Sequence, residues 1–124
     1  MKHIRTQDVT VTTAGTAASA VGAASSTPMS GELLDIYCDW SASAPNTTDL
    51  VISESTFGTI LSKANAVTDI RYAPRMPVHT AAAGAISGGW DRYPLSNSVI
   101  TFTLAGSDAL AAALVATIRW VTDY

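Results

Sequence analysis

Apolar and polar residues alternate along this chain with a period of two far more often than with a period of 3.6, which predicts strands. Asp8 to Thr13 reads Asp-Val-Thr-Val-Thr-Thr, β-branched residues in alternation, and is expected as a short first strand. Gly31 to Ser41 is the clearest case: Leu34, Ile36, Cys38 and Trp40 share one face after Glu32, while Leu33, Asp35, Tyr37 and Asp39 share the other. A half-buried antiparallel strand has this pattern. Asp49 to Glu54 follows a Pro45-Asn46 turn and is expected to return beside it. Val99 to Leu104 alternates again, and Leu114 to Asp123 closes the chain on the same period. The expected core is Leu34, Ile36, Cys38, Trp40, Ile52, Phe102, Leu104, Ile118 and Trp120.

The intervening segments are weaker. Ala14 to Ser30 is almost wholly Ala, Ser, Thr and Gly, and such side chains bury too little area to offset the entropy of ordering the segment alone. It is expected as an extended arm that orders against another copy or a partner, small residues allowing close backbone approach. Thr56 to Leu61 reads as a short strand and Lys63 to Asp69 as a turn. Arg71 to Val78 holds Pro74 and Pro77 and is at best an edge strand, because proline donates nothing to a ladder. Thr80 to Gly89 is expected as a small-residue loop leading into the aromatic stretch Trp90 to Pro94. Asp108 to Ala112 is a turn of helix or a loop. The resulting architecture is all-β: an antiparallel, jelly-roll-like β-sandwich over residues 31–124, with a strand and extended N-terminal arm over residues 1–30, in a single domain.

Composition narrows the function. The 124 residues suit one domain. Only 14% are charged, against about 25% in an average soluble domain, and a thinly charged surface favours a protein that is partly covered in its working state. Net charge is −3 and Arg71, Arg75 and Arg92 are dispersed, which argues against nucleic acid, since counterion release needs clustered cations. Apolar runs are too short to span a bilayer, and the N-terminus lacks the apolar stretch of a signal peptide.

Candidate chemistry is thin. Asp35 and Asp39 share a strand face but stand about 13 Å apart, too far for one glycosidic bond, and read as two solvated carboxylates. His3 and His79 have no partners at metal spacing. Cys38, the single cysteine, lies on an apolar face with no cation to activate it, so a buried unreactive thiol is expected. No Gly-x-Ser-x-Gly elbow or phosphate-cradling Gly-Lys-Thr/Ser loop occurs. The expectation is a non-enzyme without cofactor or metal. Its candidate interface is Trp90, Arg92 and Tyr93, together with Arg71 and Arg75.

In plan the sequence resembles the capsid decoration (cement) proteins of tailed bacteriophages. The resemblance rests on the Thr/Ala/Ser-rich N-terminal segment and the strand Gly31-Glu-Leu-Leu-Asp-Ile-Tyr. It continues through Pro45-Asn-Thr-Thr-Asp-Leu-Val-Ile, Thr59-Ile-Leu, Arg71-Tyr-Ala-Pro-Arg-Met-Pro-Val-His, Tyr93-Pro94 and two closing strands. The Trp90-Asp91-Arg92 stretch departs from that pattern. The resemblance implies a structural protein made in a host cytoplasm and seated on the capsid surface of the virion. Its partner would be the major capsid protein, and it would form a homo-oligomer, a trimer ahead of a dimer. Within the virion, a collar, tail or head-fibre component is the alternative. A carbohydrate-binding module is the alternative from another class, since jelly rolls with exposed Trp and Tyr do that work.

Overall fold

A computed structural model describes residues 2–79 and 81–123, with the backbone alone at 85–87. Its strands are β1 (His3–Val11), β2 (Ala20–Ser25), β3 (Met29–Trp40), β4 (Asp49–Glu54), β5 (Gly58–Lys63) and β6 (Ile70–Tyr72). They continue with β7 (Arg75–His79), β8 (Ala85–Arg92), β9 (Pro94–Ser98), β10 (Ile100–Ser107) and β11 (Leu114–Thr122). One sheet runs β1-β11-β3-β6, with β9 also paired to β3; the other runs β2-β10-β4-β5; β7 and β8 form a separate ribbon. All strand pairs are antiparallel. If the eight strands outside β7–β9 are numbered along the chain, the two orders are 1-8-3-6 and 2-7-4-5. That is the double Greek key of a jelly roll. The expected antiparallel sandwich is therefore the fold, with the β7–β9 segment inserted before its last two strands.

The inner faces meet in a core that contains Ile36, Cys38, Trp40, Ile52, Phe102, Leu104 and Ile118, all as the alternation predicts. Two expected core residues differ. Trp120 is only partly buried, and Leu34 gives its place to Leu33, which is fully buried. The cause is a bulge. Asp35 faces Arg119, but the next pair is Leu33 with Trp120, so Leu34 is the extra residue and the inward face shifts by one.

The segment expected as an arm belongs to the sandwich. β2 lies along β10, and Met29 at the head of β3 is buried. Backbone hydrogen bonds hold β2, and small residues are what its position demands. A Cβ on Gly22 would stand 2.1 Å from the Thr12 carbonyl oxygen. Low side-chain area here goes with close backbone packing within the chain.

Other boundaries move. β1 begins at His3 rather than Asp8, and β5 starts at Gly58. The proline-containing segment divides at Pro74 into β6 and β7. The expected loop at 80–89 is in part β8, which carries Gly88, Gly89 and Trp90, while Thr80 lies outside the described residues. Residues 108–112 form a loop and turn, not a helix. Among the described residues no helix is long and apolar enough to cross a membrane.

Candidate interaction surface

The bulge at Leu34 organises the surface around the candidate residues. β6 pairs with β3 over Ile36 to Cys38 and β9 over Met29 to Glu32, which leaves β3 without a ladder partner on that edge at 33–35. Side chains and single backbone contacts fill the gap. The Leu33 N–H donates to the Tyr93 carbonyl at 3.0 Å. Arg75 Nη1 donates to the Leu34 carbonyl at 3.0 Å and to the Pro74 carbonyl at 2.9 Å. Arg92 lies 3.8 Å from the Glu32 carboxylate. Arg71 Nη1 donates to Asp35 Oδ1 at 3.0 Å, and its guanidinium sits 5.3 Å from the Tyr37 ring centre. The three arginines that look dispersed in sequence thus converge on Glu32, Leu34 and Asp35 of β3.

Asp35 is the centre of this group. It sits on the outer sheet face yet is buried, because Arg119 covers it from β11 and Arg71 from β6. Arg119 donates Nε to Oδ1 at 2.8 Å and Nη2 to Oδ2, a fork-on-fork pairing. The Arg119 hydrogen bond, opposed by burial and aided by Arg71, holds the Asp35 carboxyl below its ordinary range. The expectation of a solvated Asp35 is therefore corrected. Residue pattern carries no sign of this pairing: it depends on β3–β11 register, and the bulge sets which residues meet.

The β7–β8 ribbon projects from this anchor. Arg75 pairs with Arg92 and Pro77 with Trp90, so these four share one face of the ribbon. The two arginines reach back to β3, while Trp90 remains 63% exposed and neighbouring Val78 37% exposed. Tyr93 is half-buried and meets the Phe57 ring edge-on at 5.2 Å. Of the five candidate residues, Arg71, Arg75, Arg92 and Tyr93 fasten the ribbon or the sheet edge. Trp90 is the one that presents a large free apolar surface.

Cys38 is fully buried, and its thiol is pushed up to about 12 by burial and by the nearby Asp69 charge. Native protein should label with a thiol reagent no faster than it unfolds. Labelling on mixing, without denaturant, would contradict this placement. Among the described residues no three His, Cys, Asp or Glu side chains converge in a way that could hold a metal. Comparison with protein-family models, curated proteins and solved structures returned no match.

Proposed function

We propose that this chain is a structural virion protein of a tailed bacteriophage that decorates the capsid surface by binding the major capsid protein, with the β7–β8 ribbon as its contact element. The observation that carries the proposal is Trp90, exposed on a ribbon that three polar attachments hold against β3. An aromatic anchor fixed in place loses little entropy on docking, and Trp residues dominate the energetics of protein interfaces. The jelly-roll strand order supports the same reading, since this architecture recurs in capsid proteins, and so does the decoration-protein resemblance of the sequence.

The purified chain should co-sediment with undecorated capsids. Trp90→Ala should weaken that binding by about 30-fold or more, the effect of losing a hot spot worth about 2 kcal/mol. Failure of the unaltered chain to co-sediment overturns the decoration reading. Labelling confined to collar, tail or head fibre would place the protein elsewhere in the virion. Glycan binding that is lost in Trp90→Ala would replace both with a carbohydrate-binding role.

A further inference from the structure

β1 has an environment unlike any other strand. It pairs with β11 through 9 residues in unbroken register, yet its first four residues, His3 to Thr6, are exposed on both faces. It is the terminal strand of its sheet, so its other edge carries backbone donors and acceptors that no strand among the described residues pairs. Such an edge is a template for another strand, and folded proteins normally blunt it.

The free edges of β5, β6, β2 and the β7–β8 ribbon are blunted. Opposite Ile52 and Ser53, β5 bulges at Ile60, breaking its ladder. β6 is only 3 residues long. The free side of β2 is closed by its own chain, where Ala14 and Val21 exchange hydrogen bonds of 3.0 and 3.1 Å. β7 contains Pro77, and β8 is interrupted by Gly88 at φ +73°. β1 has no proline and no bulge, and no strand among the described residues lies along its outer edge. It does carry Ile4, 60% exposed in the row that faces away from the core.

We infer that the free edge of β1 pairs antiparallel with β1 of a second copy, about a two-fold axis through Thr6. Charge selects this occupant and this direction. Lys2, exposed just before β1, and Asp8 flank Ile4 and Thr6 in the exposed row, which runs on to Thr10. Antiparallel self-pairing through Thr6 sets Thr6 against Thr6 and brings each Lys2 diagonal to the second copy's Asp8. Both are favourable cross-strand neighbours. Parallel pairing would instead stack Lys2 on Lys2 and Asp8 on Asp8. The two-fold also makes the contact self-complementary, so it closes at a dimer and does not propagate. The inference does not rest on the virion reading and stands or falls separately from it.

A single paired edge is a small contact at the weak end of specific interfaces, so the chain should be followed by sedimentation up to about 1 mM. A monomer–dimer equilibrium is expected. Asp8→Lys should weaken the dimer by about tenfold, and Lys2→Asp combined with Asp8→Lys should restore it, because the double exchange rebuilds both pairs. Geometry gives an independent check. On oxidation Thr6→Cys should form a disulfide-linked dimer, since residues on the axis face each other at bonding distance. Thr10→Cys, about 26 Å from its own counterpart in this register, should form no disulfide-linked dimer. Cys38 is buried and does not compete. A monomer throughout the concentration range, a trimer, equal cross-linking at positions 6 and 10, or a dimer indifferent to the charge exchange each overturns the inference.

Discussion

Leu33→Ala is expected to destabilise the protein by about 2–5 kcal/mol, and Leu34→Ala by less than about 1 kcal/mol. The two leucines are adjacent and chemically identical, so only their environment separates them. Leu33 is fully buried between the sheets, and truncating it removes apolar contact and leaves a cavity that close-packed neighbours cannot refill. Leu34 is the extra residue of the β3 bulge, half-buried at the surface where its carbonyl accepts from Arg75. Its backbone does the anchoring, and a methyl group in place of the side chain preserves that bond. Urea unfolding of the two variants at neutral pH measures the difference. Equal losses, or the greater loss in Leu34→Ala, would mean that β3 runs without the bulge and keeps one face throughout.

That pair marks where the sequence stops being legible. Period-two patterning is a local signal, and it locates β3, β4, β10 and β11 because each buries one face along most of its length. A bulge inverts the faces of everything beyond it while leaving composition unchanged, so the inward residue at 33 or 34 cannot be read from the pattern. β2 is invisible for a different reason. Apart from Val21, its residues are Ala, Gly and Ser, which have little β preference, and the strand exists through hydrogen bonds to β10 and the close approach of Gly22 to Thr12. The same holds for the arginines. Arg71, Arg75 and Arg92 come together on Glu32, Leu34 and Asp35 only after β6 and the β7–β8 ribbon are laid beside β3. Trp90 stands out in the sequence as a candidate because aromatic residues between glycines and prolines are conspicuous, and the structure leaves it exposed. The strand that carries it does not stand out, since Gly88-Gly89 reads as a loop.

The contribution of Asp35 should be large at neutral pH and vanish in acid. Its carboxylate accepts from two arginines, and hydrogen bonds to a charged group contribute about 1.5–3 kcal/mol. Breaking a fully buried ion pair costs more, about 3–5 kcal/mol, because the survivor is stranded without solvent. Here the survivors are Arg71 and Arg119, whose side chains are 48% and 36% exposed and can be hydrated, so Asp35→Asn is expected to cost about 1–3 kcal/mol at pH 7. The sign of the pH effect follows from the depressed folded-state carboxyl. An unfolded aspartate titrates near about 3.9, and the folded one lower, so the unfolded state takes up its proton first as pH falls. The stabilisation is complete above the unfolded value and is lost as pH drops through the folded one.

Glu54 reinforces the same limb. Burial raises its carboxyl, but bonds from the Phe57 N–H at 2.8 Å, the Ser98 hydroxyl, the Thr56 N–H at 2.9 Å and the Ser55 hydroxyl at 3.1 Å outweigh it and leave the group depressed. It ties the β4–β5 turn, and Glu54→Gln should lose stability over the same pH range. The measurement is denaturant unfolding of the unaltered chain, Asp35→Asn and Glu54→Gln at intervals from pH 7 to pH 2. The gap between each variant and the unaltered chain should hold steady down to about pH 5 and narrow below about pH 4. A gap that stays constant to pH 2 would show that these positions act through shape and not through charge, and that the arginine and turn contacts do not depend on ionised carboxylates.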